Sequence, residues 1–261
     1  MRDLAERAYF LLCRALGWLL RSVRYSQVRL VGQNDRRQVR KRRAWFAPLL
    51  IAMSGPLLKM LDTGVRVLPQ RAWEERERQI HQRLRGTSIR IDNEGMLVLP
   101  YLPGETLAAV LENRARAEPV RKTAIARAVV ALAEFHRLGF THGDAMAENV
   151  LIDVSTDDGG AAHWFDFETM HDPSRPVDWR RADDLRALAV TCLVRTAPEK
   201  FGETLTLILD VYNDEDVSRV LATSFNSVWR RALPFHLAQA GLSFQSFRDI
   251  TRLLARSAGH L

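Results

Sequence analysis

Asp144, Asn149 and Asp166 are the residues of this 261-residue chain whose types and spacing could do chemistry. Asp144 closes the triplet His142-Gly143-Asp144, Asn149 follows five residues on, and Asp166, in Phe165-Asp166-Phe167-Glu168, comes 17 residues after that. Apolar residues flank each polar group: Val150, Leu151 and Ile152 after the first cluster, Trp164, Phe165 and Phe167 around the second. Short strands and tight loops can therefore hold the polar groups rigidly. An acid beside an attacking hydroxyl, with two oxygen ligands for magnesium, is the set that phosphoryl transfer from ATP requires. Each residue alone means little; the order and spacing carry the signal.

The elements that must position this set can be read outward from it. Arg121 to Leu138 is patterned as a helix leading into the triplet. Upstream, Met96 to Leu102 reads as a buried strand that breaks at Pro100, Pro103 and Gly104, a stiff connector suited to a hinge between two lobes. Trp73 to Leu84 reads as a helix with Ile80 and Leu84 on one side and Glu74, Glu75 and Glu77 early in it, where acids suit the helix dipole. Residues 26–46 suggest a strand pair about a turn at Gly32 to Asp35, its second strand carrying Arg36, Arg37, Arg40, Lys41, Arg42 and Arg43. Ala47 to Leu61, apolar but punctuated by Pro48, Gly55 and Pro56, suggests short helical pieces. Residues 3–24 form a helical pattern with Leu4, Ala8, Leu11, Leu12, Ala15, Leu19 and Val23 recurring. That helix either packs on the body of the protein or lies on anionic lipid, where Trp18 and its arginines suit the headgroup layer. Beyond residue 180 the pattern is helical over 180–194, about 200–213, 215–231 and 244–257. A polar loop, Ser155 to Ala162, separates the two acidic motifs.

Composition bounds the rest. With 47% apolar and 26% charged residues, the chain can bury a sizeable core and should be soluble rather than disordered. The net charge of +7 favours anionic partners such as a nucleotide, a phospholipid surface or a phosphorylated glycan. No aromatic platform accompanies the basic strand, which speaks against nucleic acid. Cys13 and Cys192 are the only cysteines, so neither a disulfide framework nor a zinc cluster is available, and a cytoplasmic setting fits. No apolar run approaches the ~20 residues of a membrane span, and Asp3, Glu6, Arg7 and Arg14 interrupt what might pass for a signal peptide.

A hinge strand, a helix, an HGD-x4-N segment, a DF-x segment and a later acidic helix resemble the protein-kinase-like fold. Among its branches the likeness is to lipopolysaccharide (Kdo) kinases, RIO-like kinases and aminoglycoside or choline phosphotransferases. The resemblance implies an α+β, bilobal architecture: an N-terminal helix over 1–25, a small β-containing lobe with its hinge over 26–103, and a mainly helical lobe over 104–261. It implies ATP and magnesium as cofactors, Asp144 as the catalytic aspartate that orients the acceptor hydroxyl and takes its proton, and Asn149 and Asp166 as metal ligands. His142 becomes a structural element of the loop, and Leu99 and Tyr101 border the nucleotide. Asp184, in Asp-Leu-x-x-Leu, becomes the acid that braces the catalytic loop, with neighbouring Asp183 as the alternative. Lys41 or Lys59 clamps the nucleotide, Lys41 being favoured by its place on a strand two residues after Val39. Its acidic partner is Glu77, by its register with Ile80 and Leu84, or else Glu74 or Glu75.

Three departures from that family pattern matter. Gly32 is the sole glycine of the first strand pair, so no glycine-rich loop precedes the lysine. Glu168 replaces the glycine of the DF-x-type motif, removing φ freedom. Gly143 stands where regulated protein kinases carry arginine. The 18 residues from Asp166 to Asp184, with Met170 to Trp179 as the free segment, leave no room for a long activation loop. The expected acceptor is a hydroxyl of a glycan, lipid-linked sugar or small metabolite; the alternatives are an atypical serine/threonine protein kinase and a nucleotide-binding pseudokinase scaffold.

Overall fold

The computed structural model describes residues 26–32, 37–60, 62–153 and 160–225 throughout, and 4–15 and 243–252 in part. Its N-terminal portion is built on a four-stranded antiparallel sheet in the order β1-β2-β5-β4, with β1 Ser26–Val31, β2 Gln38–Arg43, β4 Arg90–Ile91 and β5 Leu97–Pro100. Between β2 and β4 the chain inserts helix α1 (Ala47–Met60), strand β3 (Val65–Val67) and helix α2 (Gln70–Arg85). Directly opposed residues of antiparallel strands project to one face. The rows Val28–Lys41–Leu97 and Leu30–Val39–Leu99 therefore set apolar side chains beside Lys41. Helix α2 buries Trp73, Glu77, Ile80 and His81, an i, i+4, i+7, i+8 stripe, and ends at Gly86 in the left-handed conformation.

The C-terminal portion is helical: α3 (Leu107–Glu112), α4 (Glu118–Arg137), α5 (Val177–Leu193), α6 (Phe201–Tyr212) and α7 (Glu215–Phe225). A three-stranded sheet, β6 (Glu105–Thr106), β7 (Val150–Ile152) and β8 (Ala162–Trp164), carries the acidic motifs at its ends. From Ala182 to Leu193 every residue of α5 is buried, so this helix runs through the core rather than over it. Around it pack Ala128, Leu132 and Phe135 of α4 and Leu205 and Ile208 of α6. A buried Leu or Phe contributes roughly 1.5–3 kcal/mol, so this cluster is the platform on which the loops between β7 and α5 rest.

The boundaries of α2, α4, α5 and α6 fall within a few residues of the expected ones. Two local expectations are corrected. Ala47 to Met60 is one helix and not short pieces, continuing through Pro56; a proline removes one helical hydrogen bond but does not by itself end a helix. Met170 to Trp179 is not a free segment, because Thr169–His171 forms strand β9, paired with β3. In the first helical region Phe10 is buried and stacks edge-on to Phe244 at 5.5 Å, whereas Leu4, Leu11 and Leu12 of the expected apolar stripe are exposed. Trp18, Leu19 and Val23 lie outside the described residues, as do residues 33–36 of the expected turn and 154–159 of the polar loop.

Candidate active site

The triplet His142-Gly143-Asp144 is held from behind by Asp184. One Asp184 oxygen accepts the His142 N–H at 2.6 Å and lies 3.0 Å from His136 Nε2; the other accepts the Gly143 N–H at 2.8 Å. Burial alone would push this carboxyl up, but His171, His136 and His142 around it hold it well below the usual carboxylate range. Its neighbour Asp183 is buried too but braces a different place, pairing with Arg186 and His171. The His142 ring sits in an aromatic cluster with Phe135, Trp164 and Phe167. Its Nε2 donates to the Phe165 carbonyl at 2.9 Å and its Nδ1 accepts the Asp144 N–H at 3.3 Å, so the partners choose the tautomer. Burial pushes its pKa down to about 4, and the ring is a neutral strut between the two acidic motifs.

Gly143 has φ of +81°, and a Cβ there would stand 3.0 Å from the Met170 carbonyl carbon. The arginine of regulated kinases is thus excluded by backbone as well as by sequence. Asp144 and Asn149 are joined directly: the Asn149 amide nitrogen donates to the Asp144 carbonyl at 2.8 Å and to its carboxylate at 3.0 Å. That orientation turns the Asn149 carboxamide oxygen away from Asp144. Burial, reinforced by the Asp166 charge, pushes the Asp144 carboxyl up to about 7, a value suited to taking a proton near neutrality.

Asp166 follows β8 with φ of +67°, a left-handed conformation that costs a non-glycine residue roughly 1–3 kcal/mol and needs an external hold. Lys41 provides it: its ammonium contacts the Asp166 carboxylate and lies 2.6 Å from Glu168. Burial of the Asp166 carboxyl raises its pKa, but Lys41 overrides this and holds it below the ordinary range. Burial disfavours charge on Lys41, yet Asp166, Glu168 and Glu77 together raise its pKa. Lys41 is therefore the lysine of this centre, while Lys59 is exposed near the far end of α1.

Glu77 is the buried acid among the three candidates of α2, but its first contacts are not with Lys41. It accepts the Trp73 indole N–H at 3.0 Å and lies 3.7 Å from His81, and burial pushes its pKa up. Glu74 pairs with Gln70 and Glu75 with Arg78. In the sequence Glu168 reads only as a missing glycine; the structure makes it a partner of Lys41, Arg43 and Ser26. Alternation along β2 was the available signal, since it puts Lys41 and Arg43 on one face. The Arg43 guanidinium also donates to the Leu68 carbonyl at 2.8 Å and covers the Trp73 ring at 5.0 Å. Beside this cluster, on the same Lys41 face of the sheet, lie Val28, Leu30, Val39 and Leu99, with Val28 and Leu30 exposed. Tyr101, next to β5, stacks under Arg37 at 4.4 Å.

Two further contacts tie α2 to the catalytic loops. Arg76 donates to the Thr141 carbonyl and Arg85 to the Trp164 carbonyl, the latter at 2.8 Å. The segment after Glu168 is fastened as well: Leu68 N–H donates to the Glu168 carbonyl at 2.9 Å, Asp172 N–H to the Gly64 carbonyl at 2.8 Å, and Arg66 pairs with Asp172 at 2.5 Å.

A base-like acid, a carboxamide, a second carboxylate and a buried lysine thus converge between a β-sheet and a helical body. Residues 101–206 match the lipopolysaccharide kinase (Kdo/WaaP) family. That match indicates a kinase and is consistent with the protein-kinase-like superfamily. It runs from Tyr101 to Thr206, somewhat under half of the chain, and includes Asp144, Asn149, Asp166 and Asp184. Lys41 and Glu77 lie before it, so their assignment stands on geometry alone. No curated protein matches the chain.

Proposed function

We propose that this kinase transfers the γ-phosphoryl group of ATP, with magnesium, to a hydroxyl of a glycan, lipid-linked sugar or small metabolite. The observation that carries the reading is the pairing of Asn149 with Asp144 and of Lys41 with Asp166, the two pairs tied together by the Phe165 N–H donating to the Asn149 carbonyl at 3.1 Å. Asp144 is the group that orients the acceptor hydroxyl and takes its proton, with Asn149 fixing its carboxylate. The donor set fits magnesium, which favours hard oxygens and few protein ligands: the Asn149 carboxamide oxygen and the Asp166 carboxylate would hold the ion. Once bound, it supplies neutralisation of phosphate charge.

Lys41 would turn from Asp166 toward the phosphates, with Glu168 retaining its hold on the ammonium. The apolar row of Val28, Leu30, Val39 and Leu99 suits the face of a nucleobase, and Tyr101 borders it. The β3–β9 pairing and the Arg66–Asp172 contact occupy the segment on which protein kinases dock an extended peptide, supporting a compact acceptor. The test is incubation with γ-labelled ATP and magnesium against three acceptor pools: glycolipid, free glycan and metabolite, and delipidated protein. Label in either of the first two is expected. Label confined to protein would replace this acceptor class with a peptide hydroxyl, and tight ATP binding with no transfer to any pool would make the chain a scaffold.

A further inference from the structure

Helix α1 is apolar on both of its faces. Its inward arc carries Ala47, Ser54 and Leu58, all buried, with Leu50 and Ile51 partly buried beside them. Ser54 satisfies its hydroxyl locally, on the Ile51 carbonyl at 3.2 Å, so its burial covers little apolar surface. The outward arc carries large apolar groups too: Leu49 and Met53 are 64% and 65% exposed, and Trp45, just before the helix, is 88% exposed. These are not scattered apolar residues of the ordinary surface kind, because Trp45, Leu49 and Met53 recur every four residues along one stripe, with Pro56 continuing it. A surface helix that faces water on its outer side places Ser there and Leu inside. This one has Leu50, Ile51 and Leu58 on its inner side and still sets Leu49 and Met53 outside, so its outer surroundings in the working protein are apolar.

Charge says what those surroundings are. Between Asp35 and Asp62 the sequence has no acidic residue, and it carries Arg36, Arg37, Arg40, Lys41, Arg42, Arg43 and Lys59. Lys41 and Arg43 are spent inside the catalytic cluster and Arg40 on Asp92. Arg42, Lys59 and, on β1, Arg29 remain exposed around the stripe. An apolar strip with Trp at one end and cations at its edges matches the layering of an anionic bilayer surface: acyl boundary, aromatic level, headgroup phosphates.

We propose that the outer face of α1, Trp45 with Leu49, Met53 and Pro56, docks on an anionic phospholipid bilayer. No helix among the described residues is long and apolar enough to cross a membrane, and the docking is peripheral. The helix connects β2, which carries Lys41, to β3, which pairs with the segment after Glu168. Seating α1 on lipid holds the protein at the surface where a lipid-linked acceptor would be presented. The contact itself rests on α1 alone and holds whether or not phosphoryl transfer is the activity.

The test is sedimentation of the full chain with vesicles of phosphatidylcholine, with and without phosphatidylglycerol, at low and high salt, with acyl-brominated lipids as quenchers of Trp fluorescence. Binding to the anionic vesicles is expected, weakened by salt, with quenching that disappears in Trp45→Phe. The pair Leu49→Gln and Met53→Gln should lower the vesicle partition at least tenfold while the melting temperature stays unchanged. Absence of vesicle binding, or binding and quenching that survive these substitutions, would overturn the proposal. So would a lipid-free dimer that the same pair dissolves, because a second copy would then be what covers the face. Should the double variant fold poorly, the Trp45→Phe quenching difference decides by itself. Loss of turnover with intact vesicle binding would count against the kinase reading only.

Discussion

Removing Glu168 should show whether it, rather than a helix glutamate, is the anchor of Lys41. Its carboxylate serves three donors: Lys41 at 2.6 Å, Arg43 and the Ser26 hydroxyl. The Lys41 and Arg43 side chains are only 8% and 6% exposed, so Glu168→Ala leaves two cations with little access to water. Breaking a buried ion pair from one side costs about 3–5 kcal/mol. Part of that is recovered, because Lys41 keeps Asp166 and Arg43 keeps the Leu68 carbonyl. The expected loss is therefore near the lower end, about 3 kcal/mol, or a fall in melting temperature of roughly 6–12 °C for a chain of this size. Glu168→Gln retains one acceptor oxygen and should cost about 1–2 kcal/mol. The double variant Arg43→Met with Glu168→Leu removes both charges and should recover most of the loss. Urea denaturation at pH 7.5, with ΔΔG taken from midpoints at constant slope, measures these three variants and the single Arg43→Met and Glu168→Leu. A cost under about 1 kcal/mol for Glu168→Ala, or strictly additive effects in the double variant, would refute the assignment.

Other substitutions probe the supports of the catalytic loop. Asp184→Asn removes the charge that accepts two backbone N–H groups and His136; a stability loss of about 2–4 kcal/mol is expected, read by denaturant titration, with turnover falling in the fraction that stays folded. Gly143→Ala meets both a left-handed backbone and Met170, and should cost at least about 1–2 kcal/mol in the same assay. Stability should also fall with acid. Burial holds His142 and His171 at about 4 and His81 at about 3, so between pH 7.5 and 5.5 the unfolded chain takes up protons at these sites that the folded chain refuses. From an unfolded value near 6.5, that is about 1.4 kcal/mol each, roughly 4 in all. Asp144 works the other way: its pKa is raised to about 7, so it stays protonated in the folded state below that and returns about 2 kcal/mol over the same interval. The net loss for the native chain is about 2 kcal/mol, and Asp144→Asn should widen it to about 4; equal losses in the two proteins would show that Asp144 titrates as an ordinary surface acid.

How far the sequence could be read depended on the range of the interactions involved. Asp144, Asn149 and Asp166 were legible because each sits in a short segment whose neighbours and spacing constrain its chemistry. Helices α2, α4 and α5 were legible because burial stripes repeat within the segment itself. Strands β3 and β9 were not, since three-residue strands paired across a hundred residues leave no local period. The role of Glu168 was hidden for the same reason: its partners Lys41, Arg43 and Ser26 lie more than 120 residues away, and only the register of β1 against β2 shows that they share a face. The exposed apolar face of α1 escaped because an apolar helix reads alike whichever side faces the protein, and only exposure distinguishes Ser54 from Met53.

The central claim is that Asp144 takes the acceptor proton in a site that binds ATP through other residues. Its most direct measurement is a single-turnover comparison of native protein and Asp144→Asn, with γ-labelled ATP, magnesium and a glycolipid extract, alongside ATP affinity by calorimetry. The account predicts unchanged ATP affinity and a transfer rate lower by about 10²–10⁴-fold in the variant. Equal transfer rates, or a loss explained entirely by weakened ATP binding, would contradict it.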